Sequence, residues 1–434
     1  MKTVMSYRLL GSLALSALLT AASGADAKIT GFKVTSSTEI GPFHGKSYRE
    51  VTGMLEGIAP GGTYSVPAVL AFPASPADFN GFALVDVVNT VTVGNNQFPG
   101  GGRVFPVGRL HLGEDYLFGN GNIYVSVLWD RTAAGILKTG TITGYGDGIE
   151  ILRDAASLAR DPMLAGLAMD VAPGKGAEYV IAYGFSQSGA LLRHWYAKHL
   201  NTAGGVQTFD GAILGAATGY CRNLATGGEN PCSGPVADGG KTISFNTEGD
   251  AERGGYRERG ESVDYRSIEI AGTSHIPADM TDFRQLGLPN QNPASIFSVV
   301  RAAFDNLQLW LKGTEPPPSI SMSLKEGAYQ ALRDADGNAL GGIRLPHMPG
   351  ESPSIGAPLG TYTGNAPKAG NGYLLLGGTF EPFSKEELLA RYPSNEVYVK
   401  AVSAAANDLV ARRHILQADA DTYIAAAKAS GIGQ

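Results

Sequence analysis

The stretch that most constrains the fold of this chain is Glu178–Trp195, with the sequence EYVIAYGFSQSGALLRHW. An apolar run of β type breaks at Gly184, Ser186 stands at the break, and a helical pattern begins after Gly189. A serine at a sharp strand-to-helix turn, with small residues on both sides, is the pattern of a nucleophile elbow. Ser188 stands where that pattern usually has its second glycine. An ordinary glycine-rich turn has a similar sequence, so the elbow is a hypothesis at this point.

Further apolar runs of β type occur on both sides of this turn. They are Thr63–Phe72, Phe82–Asn89, Asn122–Asp130, Phe209–Ala217, Lys241–Glu248 and Tyr265–Ala271. Strands that alternate with helices and loops are typical of a mostly parallel sheet with helices on both faces. The carboxyl ends of the parallel strands then meet at one edge of the sheet, where Ser186 would lie. The sequence therefore predicts an α/β fold class.

The character of the sequence changes towards the C-terminus. A helical pattern over Ser295–Lys312 is stopped by a glycine and three prolines, and a Gly/Pro-rich stretch follows. Ser384–Lys428 is helical again, with expected helix starts at its first residue and at Ser394. We expect a core with inserted loops over residues 28–315, and a loop-rich and helical extension packed on it over residues 316–434. The extension could be a cap, a belt around the core or a surface for a partner.

The N-terminus has the features of a secretory signal peptide. Lys2 and Arg8 form a basic region, Leu9–Thr20 is apolar, and Ala25–Ala27 is an A-x-A cleavage site. The apolar part is too short to span a bilayer, which needs about 20 residues. We expect residues 1–27 to be removed and the mature protein, without a membrane span, to be exported to the periplasm or the medium.

The cysteines and the charge of the chain argue against a metal site at the cysteines and against binding of nucleic acid. The chain has two cysteines, Cys221 and Cys232, and such a pair usually forms a disulfide in an oxidising compartment. No His or Asp stands at ligand spacing around them, so no metal site is expected. The net charge is −6, and the sequence has no basic patch of the kind that binds nucleic acid.

A serine nucleophile needs a general base, and the base needs an acid that orients it. Among the seven histidines, His275 directly follows a predicted strand, which would place it at the same sheet edge as Ser186. His347 lies in an irregular segment that could fold over the site, and it stays open as an alternative base. The acid is expected between the serine and the histidine in chain order, where Asp250 and Glu248 are both candidates.

An acyl-transfer site also needs backbone N–H groups that stabilise the developing negative charge. One would be the N–H of Gln187, directly after Ser186. The other is expected in the loop after the strand that ends at Asn89, at Thr90 or Val91.

The substrate pocket has three expected walls. They are the loop Asn89–Gly102, the loop between the two cysteines, and the region 276–350. Its lining could include the apolar side chains of Phe98, Phe105, Trp129 and Leu345.

These residues, in this order, resemble the α/β-hydrolase superfamily, and more closely an exported bacterial family called alpha/beta hydrolase domain proteins. The resemblance is carried by LVDVVN (84–89), YGFSQSGALLR (183–193), FDGAILG (209–215), NTEGD (246–250), IEIAGTSH (268–275), WLKGTEPPPS (310–319) and DGNALGGIRLPHMP (336–349). The run G-x-S-Q-S-G looks typical of that family. The resemblance implies Ser186 as nucleophile, His275 as base and an acid from the 248–250 turn, and it also includes His347.

The sequence therefore predicts a secreted serine hydrolase that cleaves a small or polymeric carboxylic ester through an acyl-enzyme. No metal or organic cofactor is implied. One alternative is an amide, peptide or lactone hydrolase with the same three residues. Another, from a different class, is a catalytically silent envelope binding protein that has kept the fold.

Overall fold

A computed structural model describes residues 28–90, 106–131, 140–144, 146–162, 176–223, 228–278, 290–347, 356–366 and 374–434. The expected signal peptide lies outside these residues. So do most of the Asn89–Gly102 loop, including Phe98, and Phe105, which follows that loop.

Ten strands within the described residues form one large sheet. They are β1 (Lys28–Phe43), β2 (Lys46–Ala59), β3 (Gly62–Pro73), β4 (Phe82–Val87), β5 (Ile123–Val127), β6 (Tyr179–Phe185), β7 (Gly211–Gly215), β10 (Lys241–Thr247), β11 (Glu261–Ser262) and β12 (Tyr265–Ile270). Their spatial order is β1-β2-β3-β5-β4-β6-β7-β10-β12-β11. The six strands from β5 to β12 in this order run parallel, and the outer ones pair antiparallel. The predicted α/β class is confirmed.

Two short ribbons and a set of helices complete the described structure. The ribbons pair β8 (Tyr220–Arg222) with β9 (Glu229–Pro231), and β13 (Gly360–Thr363) with β14 (Thr379–Pro382). The helices are α1 (Val107–Leu112), α2 (Glu114–Gly119), α3 (Asp147–Arg160), α4 (Gln187–Ala197), α5 (Glu248–Arg253), α6 (Phe297–Leu311), α7 (Lys385–Arg391), α8 (Asn395–Ala411) and α9 (Gln417–Ala429). None of the helices described is both long and apolar enough to span a membrane.

The core lies on both faces of the sheet. Val85 of β4 packs in one apolar cluster with side chains of α3 and α4, whereas its neighbour Leu84 packs in a second cluster with side chains of α6. Successive side chains of a strand point to opposite faces, so a strand covered on both sides reads as a continuous apolar run. All six residues of β4 are accordingly buried.

The hairpin of β1 and β2 precedes the first strand that the sequence predicts, which begins at Thr63. Glycines interrupt the apolar alternation of β2, and each has a packing reason. A Cβ at Gly53 would lie 2.4 Å from the ring of Phe32, and one at Gly57 would lie 2.4 Å from the hydroxyl of Tyr64. Glycine leaves the space that these aromatic rings occupy. Because it interrupts the alternation of apolar and polar residues, β2 is not predicted from apolar periodicity.

The residues after 315 pack along the sheet and over α6. Ile320 and Ile343 form parallel bridges with Ile268 and Ile270 of β12, so this segment covers the end of the parallel sheet. Arg301 of α6 forms an ion pair with a carboxylate of α9. Ser384 caps α7 with a full capping box, at the helix start that the sequence predicts.

Candidate active site

Ser186 occupies the sharp turn between β6 and α4. Its backbone angles are φ 57° and ψ −115°, in a region that a residue with a side chain rarely adopts. The Ser186 N–H donates to the carbonyl of Gly215 at 2.8 Å, which fixes the turn against the neighbouring strand β7. Such strain persists only where surrounding structure enforces it, and it is concentrated at functional sites.

The residues around the turn show why small side chains are needed. A Cβ at Gly184 would lie 2.6 Å from the carbonyl oxygen of Ser188, and one at Gly189 would lie 2.4 Å from the carbonyl oxygen of Gly215. Ser188 is fully buried, and its hydroxyl donates to the Phe185 carbonyl at 3.1 Å and accepts the Phe185 N–H at 3.0 Å. The serine at this position therefore satisfies backbone groups of the turn.

His275 lies on the loop after β12, as the sequence predicts, and reaches Ser186. Its Nε2 is 3.0 Å from Ser186 Oγ and its Nδ1 is 2.7 Å from Asp250 Oδ1. The imidazole packs on the ring of Phe185, with 4.9 Å between ring centroids, and only 7% of the residue is exposed. The structure thus brings Ser186, His275 and Asp250 into one hydrogen-bonded chain.

Asp250 lies in the first turn of α5, just after β10, and is fully buried. Thr247 Oγ1 donates to its Oδ2 at 2.5 Å, and Arg253 Nη2 donates to its Oδ1 at 2.7 Å. Burial alone would raise the pKa of Asp250, but His275, Arg253 and the Thr247 hydroxyl together lower it to about 2. An ionised carboxylate only accepts hydrogen bonds, so the proton of this contact lies on His275 Nδ1, and Nε2 is the ring nitrogen that faces Ser186 Oγ.

Glu248, the other candidate acid, is directed elsewhere. Its Oε2 accepts the Gly272 N–H at 2.8 Å, and its Oε1 accepts the Gly364 N–H at 3.0 Å and Arg333 Nη2 at 2.6 Å. Burial raises the pKa of Glu248, and the Arg333 charge opposes that shift. The side chain joins the loop that carries His275 to the C-terminal segment and does not contact the imidazole.

His347, the alternative base, packs between aromatic rings. Its centroid lies 5.4 Å from that of Tyr362 and 5.8 Å from that of Tyr423, and burial lowers its pKa to about 4. It is not among the described residues that line the cleft at Ser186.

Thr90 and Gln187, the residues of the two expected oxyanion donors, are joined by a hydrogen bond that engages one of the donors. The Thr90 N–H donates to Oε1 of Gln187 at 2.9 Å, while Thr90 Oγ1 donates to Asp130 Oδ2 at 2.9 Å. Gln187 is the first residue of α4, where backbone N–H groups have no acceptor within the helix. The Thr90 N–H can meet a substrate oxygen only after the Gln187 amide turns away. Val91 lies outside the described residues.

A cleft of about 380 Å³ opens at Ser186 and His275. The loop between the two cysteines supplies part of its wall, as expected, through Arg222 and Glu229, and Tyr220, directly before Cys221, also lines it. Trp129 and Leu345, expected in the lining, are instead buried in the two core clusters.

Sequence reasoning did not identify Arg253, which both lines the cleft and bonds Asp250. Its position one helical turn after Asp250 is the signal that could have found it.

Cys221 and Cys232 form a disulfide, with 5.7 Å between their Cα atoms. In the loop-entropy description, closing so short a loop stabilises the fold by about 2–3 kcal/mol. The bond holds together the ribbon that forms one wall of the cleft.

Comparisons with known proteins agree with this architecture. A family model described as "Alpha/beta hydrolase domain" matches residues 55–425. No curated protein matches the chain.

Among the solved structures to which the chain is similar at low sequence identity are three esterases. LipA, a rice cell wall degrading esterase from Xanthomonas oryzae, is 12% identical with a TM-score of 0.29, over 43% of this chain and 49% of LipA. Est1E from Butyrivibrio proteoclasticus is 8% identical with a TM-score of 0.29, over 64% of this chain and all of Est1E. Esterase B from Lactobacillus rhamnosis is 12% identical with a TM-score of 0.29, over 58% of this chain and 84% of that one. The chain thus spans about half the length of LipA, and these likenesses do not identify its substrate.

Proposed function

The chain belongs to the alpha/beta hydrolase domain family, and from that premise we propose that it is an exported serine hydrolase that cleaves carboxylic esters. The observation that carries the proposal is the hydrogen-bonded chain from Ser186 Oγ through His275 to Asp250. A strained serine, a base with its acceptor nitrogen facing that serine, and a buried ionised acid are the parts that nucleophilic acyl transfer requires.

In the proposed reaction, Ser186 Oγ attacks the ester carbonyl while His275 Nε2 takes its proton. Asp250 holds the ring in the required tautomer and stabilises the imidazolium that forms. The Gln187 N–H, joined by the Thr90 N–H once the Gln187 amide has turned, would stabilise the negative oxygen of the tetrahedral intermediate. His275 then protonates the leaving alcohol, and water hydrolyses the acyl-enzyme by the same steps.

Two experiments distinguish the proposal from its alternatives: covalent labelling of the serine by a probe, and the rates of hydrolysis of substrates with different leaving groups. Wild-type protein should react with a fluorophosphonate probe and should hydrolyse p-nitrophenyl esters faster than peptide anilides of matched acyl groups. A preference for the anilides or for lactones would replace the ester in the proposal. A protein that neither reacts with the probe nor turns over any of these substrates would be a silent binding protein.

Export is part of the proposal. Its support is the basic and apolar N-terminal sequence with its cleavage site after Ala27, together with the disulfide of the folded chain. Mass spectrometry of the exported protein should find Lys28 as the first residue and no free thiol. An uncleaved N-terminus, or reduced cysteines in protein isolated from the native host, would contradict it.

A further inference from the structure

Two guanidinium groups line the cleft that contains Ser186 and His275. Arg222 ends β8, directly after the disulfide-bonded Cys221, and Arg253 ends α5. Their side chains are 22% and 23% exposed, so both can be reached from the cleft. An arginine in a cleft is a candidate site for an anion, provided that its N–H groups are not already used by the fold.

Arg253 is used by the fold. Its Nη2 donates to Asp250 at 2.7 Å and its Nη1 donates to Asn365 Oδ1 at 3.2 Å. One end of this guanidinium therefore holds the acid of the proposed catalytic group, and the other end holds the C-terminal segment. Arg253 is a positioning residue and a poor candidate for binding substrate.

Arg222 is held much more loosely. Its Nη1 donates to Glu229 Oε1 at 3.1 Å, and its Nη2 forms a long ion pair with Asp130 Oδ2, at 3.9 Å, which is beyond hydrogen-bonding distance. The Glu229 side chain is 46% exposed, and it faces Arg222 across the two-stranded ribbon. Exposed single-contact ion pairs of this kind are weak, whereas a guanidinium bound in fork geometry by a carboxylate forms one of the stronger polar contacts in proteins.

The rest of the lining near Ser186 favours a short, polar substrate. Three of the described lining residues are alanines, Ala190, Ala216 and Ala217, which leave space without forming a long apolar channel. Glu229, the one carboxylate in the described lining, rests on Arg222 and so occupies the position that a carboxylate of a ligand would take.

We propose that the ester substrate carries a second, free carboxylate that binds Arg222 in place of Glu229, an inference that rests on the esterase function proposed above. The carboxylate can belong to the acyl part, as in a dicarboxylic acid monoester, or to the alcohol part, as in an ester of a hydroxy acid. Both sources present the same group to the same guanidinium.

Two matched pairs of substrates separate these sources. The first pair is the p-nitrophenyl monoester of glutaric acid and p-nitrophenyl pentanoate, and the second is p-acetoxybenzoate and its methyl ester. We expect kcat/KM to favour the charged member of at least one pair by about tenfold or more at low salt, since each tenfold corresponds to 1.4 kcal/mol of binding. The preference should decline as salt is raised, because the contact is partly exposed.

Three variants assign that preference to Arg222. R222Q should reduce the ratio of charged to neutral kcat/KM at least about tenfold, R222K should reduce it less, and E229Q should increase it because the competing carboxylate is gone. R391Q, which removes an arginine paired with Asp336 far along the chain, serves as the matched control. Thermal unfolding of each variant checks that it is folded.

The outcomes separate this inference from the function on which it rests. Hydrolysis of the neutral esters with a charged-to-neutral ratio near one in both pairs would overturn the carboxylate site and leave the esterase intact. A charged-ester preference that survives in R222Q would place the anion elsewhere and also overturn it. Failure to hydrolyse any ester, charged or neutral, would overturn both proposals.

Discussion

Replacing Ser186 with alanine should lower kcat for ester hydrolysis by at least about 10⁴-fold and abolish labelling by a fluorophosphonate. The alanine leaves His275 and Asp250 in place, but no oxygen remains that can form the acyl-enzyme. Residual hydrolysis would come only from backbone N–H groups that stabilise the charge of a direct attack by water. The measurement is burst and steady-state kinetics with a p-nitrophenyl ester.

Ser188 provides the control for this substitution, since it lies in the same turn and differs in its contacts. Its hydroxyl bonds only to the backbone of Phe185 in the described structure. S188A should therefore keep fluorophosphonate labelling, and its main effect should be a loss of about 1 kcal/mol in the free energy of unfolding. Equal activity of S186A and wild type, in protein purified away from host esterases, would remove Ser186 as the nucleophile.

The elbow could be predicted from sequence because its signal, a serine between small residues where a strand changes to a helix, lies within one short stretch. The glycines at 184 and 189 are required by backbone atoms of the turn itself and of the adjacent strand. The same holds for the buried parallel strands, whose continuous apolar runs are visible without knowledge of their neighbours. His275 was accessible to prediction through topology, because a loop after a parallel strand must emerge at the same sheet edge.

The choice between Asp250 and Glu248 could not be read from sequence, because both follow β10 within three residues of its end. What separates them lies far along the chain. Glu248 is drawn to Arg333 and to the N–H of Gly364, both in the C-terminal segment, while Asp250 faces His275. The position of Arg222 in the cleft could not be predicted for a similar reason, since it depends on how the loop between the two cysteines packs on α4.

The difference between these two carboxylates leads to the second large effect. D250N should lower kcat by about 10⁴-fold with a small change in KM, because an amide does not stabilise the imidazolium and can hold His275 in the wrong tautomer. E248Q should leave kcat within about tenfold of wild type. Its cost should appear as about 1–3 kcal/mol of unfolding free energy, because Arg333 loses the closer of its two carboxylate partners and keeps only Glu252, at 3.5 Å.

D250N is therefore expected to change mainly kcat, and E248Q mainly the free energy of unfolding. Steady-state kinetics measures the first quantity and urea unfolding measures the second. Asp250, with a pKa of about 2, is ionised throughout the neutral range, so the assay pH does not obscure the comparison. Both variants should still fold, because each amide keeps the shape of its carboxylate and one acceptor oxygen. In E248Q that oxygen can accept only one of the N–H groups of Gly272 and Gly364, which bond different oxygens of Glu248, so the loss of the other contact is part of the expected cost in stability. A collapse of kcat in E248Q with near-normal turnover in D250N would show that His275 takes its support from a different arrangement when substrate is bound. The assignment of Asp250 as the orienting acid would then be wrong.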